Sequence, residues 1–420
     1  MVQAGLSPPE VRSAAAEAAS FGFPLLLVDA IRRTHPVGAN RPLDLPIDGA
    51  SIAPGLACEH PLVVATSIWA DLRDGPVSID LPGLGDRHWS VSAFDAHGRR
   101  MPPPWAARTP PSRLVLARQA QAPSADAWQA PTKLVWLVIR IAAASEQDLE
   151  AARRLASEIQ VRSASPDHPV RNLPRGKVEP PLQPPIELVA ALQPHRYFHR
   201  LSSLLARFPT PQSPGGETQA LARLELGVSP FQMPDSPELK DAIGQGLADA
   251  MARLKAARTA SPAPGWRLAH EAADSQSIWS SISTLGAPAP ADVLTLICDR
   301  DSDGRRLVGT SSYDLVFDLG DAPPADRFWT LICAGESARA ALDSRAAVAE
   351  PDGSIHVRIS QDPPPGMTNV IKAPPGRLQL RLSLFWPQAG ALTGGWSPPA
   401  LGRVVETSPS MDFANRGTSP

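Results

Sequence analysis

Cysteine is scarce in this chain of 420 residues: Cys58, Cys298 and Cys333 are far apart and none forms a C-x-x-C pair. An odd, scattered set gives no support to a disulfide framework or a thiolate zinc site. Excess charge of one sign is also missing. Lys and Arg number 40 against 42 for Asp and Glu, so no global field gathers nucleic acid or an anionic membrane surface. Aromatic residues make up 5% and do not alternate with basic ones, which leaves no stacking platform for single-stranded nucleic acid. The N-terminus has no basic stretch followed by an apolar core, so no signal peptide is read there. No window is read as reaching the ~18 apolar residues of a membrane span. The expectation is a cytoplasmic protein without a nucleic-acid partner or a membrane span. G-x-S-x-G, G-x-x-x-x-G-K-[ST] and a helix-opening G-x-G-x-x-G are all lacking, and GLGD at Gly83 is read as a turn. Neither a serine-hydrolase elbow nor a nucleotide loop is expected, and no cofactor is assigned.

What the chain does have is a hydrophobic content of 43%, enough for two or three domains with real cores, and 48 prolines that restrict helix length. Ser7, Pro8 and Glu10 form a helix start, and the helix is expected to run through Gly22 and Pro24 into LLLVDAIRRT. From Val63 to Ala143 come β-like runs: VVATSIWADL, VSIDL, HWSVSAFD, RLVLAR and KLVWLVIRIA. The last is continuously apolar, as in a strand buried on both faces. SEQDLEAARRLASEI, from Ser145, reads as a capped amphipathic helix. Helices are also predicted for IELVAALQPHRYFHRLSSLLARF, TQALARLELG and SPELKDAIGQGLADAMARLKAAR, and the β pattern returns from Val293. The fold class is therefore α+β: two β-sandwich-like, jelly-roll-type blocks with a helical middle segment. The expected organisation is a β-rich domain with leading helices at 1–160, a proline-rich linker at 161–186 and a helical segment at 187–290. A β-sandwich domain at 291–405 and a disordered tail at 406–420 complete it.

Three constellations invite a chemical reading. Asp299, Asp301 and Asp303 before Gly304 match the first half of a calcium loop, but the twelfth position is Thr310 and the eighth is Arg306. A solvated hairpin tip accounts for them better. His195 and His199 are four apart on a predicted helix, on the polar flank of the stripe Phe198, Leu201, Leu204, Leu205 and Phe208, with no third ligand nearby. HEAAD at His270 has Asp274 where a zinc protease needs its second histidine, which breaks the motif.

Several segments are similar, in order and spacing, to one bacterial family: FGFPLLLVDAIRRT, SIWADLRDGPVSIDLP, GDRHWSVSAFD and YFHRLSSLLARFP, then DRDSDGRRLVGTSSYDLVFDL, DRFWTLI, PDGSIHVRIS and GGWSPP. They resemble the two-domain proteins in which domain of unknown function 1254 precedes domain of unknown function 1214. The resemblance covers most of residues 15–405 and implies β-sandwich-like domains with a helical insertion. It implies little about chemistry, and its members usually carry secretion signals. They also carry an Asn-x-Asp-Thr-x-Tyr pattern before the Trp-x-Asp-Leu strand, a candidate lining for a polar pocket. Aligned on Trp69, Asp71, Leu72, Gly75 and Pro76, those positions here are His60, Leu62, Val63 and Ala65. Likewise, the family's Asn-Trp-Leu-Pro-Ala-Pro is here Asn369 through Pro374, with Val370, Ile371 and Lys372 inside. The resemblance therefore implies a diverged member whose polar equipment is reduced.

The leading expectation is a non-catalytic or weakly active protein that binds a small molecule, a glycan or a protein partner. The alternative is a metal-assisted or acid–base hydrolase with an atypical site, its candidates being His60, Asp71, Arg87 and Asp95, with Asp299, Asp301 and Asp303 for a metal. A homo-oligomer is the third possibility. His60 also has a plainer reading, as a boundary residue hydrogen-bonded to backbone.

Overall fold

The structure is a computed structural model that describes residues 5–35, 38–46, 51–56, 60–105, 108–109, 111–118, 126–163, 176–209, 216–259, 265–269, 278–335 and 338–404. Cys58, the HEAAD stretch and the 406–420 tail lie outside the described residues, as does much of the proline-rich linker. The chain divides into two compact units. One comprises Met1–Pro262, Leu268–Leu294 and Phe385–Pro387; the other comprises Ala263–Arg267, Thr295–Leu384 and Gln388–Pro420. The architecture is α+β with sheet-rich blocks.

The first unit contains strands β1 (Pro42–Asp44), β2 (Val63–Asp71), β3 (Val77–Asp80), β4 (Trp89–Asp95), β5 (Arg100–Met101), β6 (Arg113–Arg118), β7 (Trp128–Ala130), β8 (Leu134–Ala142), β9 (Gln160–Ser163) and β10 (Gly176–Lys177). They form a six-stranded sheet in the order β10-β1-β2-β8-β4-β5 and a four-stranded sheet in the order β7-β6-β3-β9. Strand parity decides which side chain goes where. Ile68 and Ala93 both stand opposite Leu137, and Val91 stands opposite Ile139. These residues form one buried cluster with Val77, Ile79, Leu114 and Leu116 of the four-stranded sheet. The alternate residues face the other way. Trp69, Trp136, Phe94 and Val138 join a second cluster made mostly by helices.

Those helices are α1 (Pro8–Arg33), α2 (Leu149–Ser157), α3 (Pro185–Ala190), α4 (Pro194–Arg207), α5 (Gly216–Arg223), α6 (Pro237–Thr259) and α7 (Ile278–Ser283), with α2 packing instead on the sandwich side through Ala152 and Ala156. At the start of α1, the Glu10 carboxylate accepts the backbone N–H and the hydroxyl of Ser7 at 2.8 and 2.6 Å, which lowers its pKa. The helix runs unbroken through Pro24, as expected; Leu25, Leu26 and Leu27 on the same turn are at most 2% exposed, so burial outweighs the lost hydrogen bond. Gly246 of α6 approaches α1 so closely that a Cβ there would lie 2.5 Å from the Arg12 carbonyl oxygen. By length and composition α1 is apolar enough to cross a membrane, which the expectation from sequence passed over. Here 83% of its most apolar window is buried.

Two helices differ from expectation. The segment predicted as one helix from Ile186 is split into α3 and α4, because Pro194 removes a backbone donor and opens the second helix. The helix expected from Ser145 begins only at Leu149. The Asp148 carboxylate accepts the Ala144 N–H at 2.7 Å and is paired with Arg87, which holds residues 145–148 in turns.

Most of a five-stranded sheet belongs to the second unit: β11 (Arg267–Leu268), β12 (Val293–Cys298), β14 (Ala325–Ala334), β15 (Arg339–Asp343) and β18 (Gln379–Pro387), in the order β11-β12-β18-β14-β15, with Leu268, Val293, Leu294 and Phe385–Pro387 counted in the first unit. A four-stranded sheet has the order β17-β16-β13-β19, from β13 (Tyr313–Phe317), β16 (Ile355–Ser360), β17 (Val370–Lys372) and β19 (Gly402–Arg403). Phe317 meets Trp329 at 5.4 Å between ring centroids, joining one sheet to the other. A short helix, α8 (Ala389–Leu392), follows β18.

Candidate functional site

In the first unit, a row of buried polar side chains lies on the helix-facing side of the six-stranded sheet. On β8, Arg140 stands between Ala65 of β2 and Ser90 of β4, and Val138 stands between Ser67 and Ser92. One register step further, Trp136 stands between Trp69 and Phe94, and Phe94 is opposite Arg100 of β5. The row is thus Ser67, Ser90, Ser92, Arg100 and Arg140, floored by three aromatic rings. Ser90 and Arg140 are 0% and 2% exposed. His88 precedes the row, and its Nε2 lies 3.0 Å from the carbonyl oxygen of Asp292.

Two guanidiniums are held along one short stretch. Arg140 donates to the Gly286 carbonyl at 2.5 Å, and Arg100 reaches the Thr284 carbonyl at 3.5 Å while lying over the Phe94 ring at 4.8 Å. Gly286 has φ +91°, and a Cβ there would fall 3.1 Å from the Trp136 ring, so glycine lets this stretch close down on the sheet. Burial, reinforced by the charge of Arg140, lowers the Arg100 pKa to about 10, which leaves it cationic at neutral pH. Burial likewise raises Asp292 to about 6, against the opposing charges of Arg100, Arg140 and Arg108. Among the described residues, Trp69 Nε1, Ser90 Oγ, Ser92 Oγ and Arg100 Nη1 are buried polar atoms without a hydrogen-bond partner. Such atoms are uncommon, because each has left water with nothing in return.

Beside them is a pair that resembles a nucleophile and its base. Ser67 Oγ is 2.7 Å from His35 Nε2, and His35 Nδ1 is 3.2 Å from the Ile31 carbonyl oxygen. Trp136 Nε1 donates to the same serine oxygen at 2.8 Å. Ser67 is 0% exposed, a backbone carbonyl holds the place of the orienting carboxylate, and burial lowers the His35 pKa to about 4. With Nδ1–H bonded to Ile31, Nε2 accepts the serine proton, and the arrangement ties the end of α1 to β2. Its chemistry is that of a structural lock.

The candidates named from sequence are not brought together. His60 is buried and accepts the Leu62 N–H on Nδ1 at 3.2 Å. Arg87, at the same end of the sheet, clamps Asp148, with one bond at 2.6 Å. Asp71 and Asp95 lie at the other end, roughly 25 Å away along β2 at the usual rise per residue. They also have opposite parity, Asp71 opposing Leu134 and Asp95 opposing Val135. Asp71 is paired with Arg73. Asp95 accepts the N–H groups of His97 and Arg99 and the Arg99 side chain, each at 2.9 Å. A histidine and a carboxylate a strand-length apart share no proton, so these four form no acid–base unit in this structure.

At the hairpin tip of the second unit, Asp301 is 1% exposed, accepts Arg305 N–H at 2.8 Å and is bonded to Arg403 at 2.9 Å. Asp299 faces Arg267 at 3.7 Å and Asp303 faces Arg305 at 3.1 Å. Among the described residues, no group of three or more His, Cys, Asp or Glu is placed to hold a metal ion. His195 and His199 are exposed on α4.

Sequence reading missed Arg100, Arg140, Ser90, Ser92, His88, Asp292 and the His35–Ser67 pair. A signal existed for some. Arg140 is the one charge inside the apolar run LVWLVIRIA, and His88, Ser90 and Ser92 alternate along HWSVSAFD. Of the positions at which the resembling family carries Thr and Tyr, Val63 stands opposite Ala142 and Ala65 stands opposite Arg140, so both share the parity of the row.

Residues 58–163 match the family model described as protein of unknown function DUF1254, and residues 292–389 match that of DUF1214. This is a two-domain DUF1254–DUF1214 chain. The row falls within the DUF1254 match, while Asp292 opens the DUF1214 match. Among solved structures, the VPA0106 protein from Vibrio parahaemolyticus is similar at 16% identity with a TM-score of 0.62, over 94% of this chain and 100% of that one. An uncharacterized protein from Burkholderia cenocepacia covers 94% of each chain at 10% identity with a TM-score of 0.43. The first likeness shows a shared fold; the second carries no argument. No curated protein matches the chain.

Proposed function

We propose that this DUF1254–DUF1214 chain is a binding protein rather than a catalyst, and that it takes a small molecule on the helix-facing row of its first unit. One observation carries the reading. Ser90 and Ser92 are 0% and 2% exposed, and neither hydroxyl has a partner among the described residues. A buried hydroxyl forgoes water at a cost of about 1–3 kcal/mol, and a ligand atom that meets it recovers that loss. The hydrolase alternative has less support: its histidine and carboxylates are dispersed, and in the His35–Ser67 pair the serine oxygen is also bonded by Trp136 Nε1. A glycan or a protein partner remains an outcome of the test.

The test is thermal unfolding of the whole chain against sugars, organic acids, phosphates and divalent metals. A ligand at a hundred times its dissociation constant adds about 2.7 kcal/mol and moves the midpoint by a few degrees. The expected result is a shift from one compound class that disappears in Ser90→Ala/Ser92→Ala. A turnover abolished by His60→Ala or Asp95→Asn would overturn the reading.

A further inference from the structure

Taking the row as a binding site, we propose that its ligand is a small anion, a carboxylate or phosphate group received between Arg100 and Arg140 and hydrogen-bonded by Ser90 and Ser92. The argument starts from placement. Arg140 lies next to Ser90 across the β8–β4 ladder, and Arg100 rises from β5 beside Phe94, four residues along the same strand from Ser90. Both guanidiniums bend toward one stretch, taking carbonyls two residues apart, Thr284 and Gly286. Their positive charges are therefore close enough to act on each other, and Asp292 is the carboxylate whose charge reaches both.

Arg100 is the informative member. Its contact with Thr284 is at the outer limit of a hydrogen bond, and its Nη1 is buried without a partner. A guanidinium presents five donors in a fixed fork and has no acceptor of its own. A charged donor in low-dielectric surroundings gains most from an acceptor that is itself charged, because such bonds are about twice as strong as neutral ones. A neutral sugar would satisfy the two serine hydroxyls and leave the repulsion between the arginines untouched. An anion does both. Three arginines act on the single carboxylate of Asp292, so positive charge is in excess around it among these four groups.

The groups that face Asp292 are Arg100 from β5, Arg140 from β8, Arg108 from the stretch after β5 and the His88 ring, which meets its carbonyl oxygen. Asp292 competes with an incoming anion for the same guanidiniums. Protonating it removes that competitor, so anion affinity rises as pH falls through about 6.

The experiment is calorimetric titration of the full chain at pH 7 with inorganic phosphate, acetate, malonate and, as a neutral probe, glucose. Phosphate against the two carboxylates separates the possible sources of the charge. Arg100→Met keeps the apolar stem over Phe94, and Arg100→Lys keeps the charge without the fork. We expect binding of at least one anion, a tenfold or greater loss in Arg100→Met, a smaller loss in Arg100→Lys and tighter binding at pH 5.5. If Arg100→Met fails to fold, the Lys variant and the pH series carry the same test. Anion binding unchanged in either arginine variant overturns the proposal. Glucose binding that depends on Ser90 and Ser92, without anion binding, overturns the anion and leaves the binding row. If binding of none of these probes depends on the row, both the anion and the binding row are overturned.

Discussion

The two faces of the six-stranded sheet are built by different rules. Toward the four-stranded sheet, β2, β8 and β4 present Ile68, Ala70, Leu137, Ile139, Val91 and Ala93, all buried in one apolar cluster. Toward the helices the same strands present Ser67, Arg140, Ser90 and Ser92 among Trp69, Trp136 and Phe94. Each strand therefore spends alternate residues on different tasks. One face removes carbon from water and holds the sandwich together. The other keeps polar atoms buried at a cost, and it is there that the proposed binding row lies.

The comparison breaks most visibly if the apolar face is not the main source of stability. Leu137→Ala there is expected to cost about 2–5 kcal/mol in urea unfolding, since a cavity remains where a leucine was. A smaller loss than any substitution on the helix-facing side would reverse the assignment.

The next effect is in pH. Burial raises Asp292 to about 6 from an ordinary 3.8, so its folded form keeps the proton and its contribution falls as pH rises from about 4 to 6. Burial lowers His35 to about 4 from 6.5, so its contribution is present above 6.5 and is lost as pH falls toward 4. The two slopes oppose each other. The stability of the native chain minus that of Asp292→Asn should fall with rising pH across this window, by about 3 kcal/mol. The same difference taken against His35→Gln should rise. Parallel curves for native chain and variants would remove these groups from the helix-facing face.

A finer division separates the serines. Ser67 bonds both His35 and Trp136, so Ser67→Ala leaves two buried groups without partners and should cost about 1–3 kcal/mol. Ser90→Ala/Ser92→Ala removes hydroxyls without a partner among the described residues, and in the absence of ligand it should lie within about 0.5 kcal/mol of the native chain or above it. Equal losses for the two would mean that ordered water already satisfies Ser90 and Ser92, which can be checked by hydrogen exchange on β4.

Much of the fold was legible because period-two alternation and helix-start signals are local. KLVWLVIRIA reads as a buried strand and is one, and Ser7, Pro8 and Glu10 mark the start of α1. The candidate site was not legible for two reasons. Its members come from residues 35, 67, 90, 100, 140 and 292, and only the β pairing brings them together. Serine also alternates as well as any residue, so nothing in HWSVSAFD tells a solvated face from a buried one. Asp is conspicuous in sequence, yet Asp71 and Asp95 end their strands and are occupied by the turns that follow.

Three residues near the far end of the chain, Phe385–Pro387, belong to the first unit, where the rings of Phe385 and Trp386 lie 4.9 and 5.3 Å from His88. A gene cut between the two matched segments would therefore divide the first unit, and the amino-terminal product would lack part of its own wall.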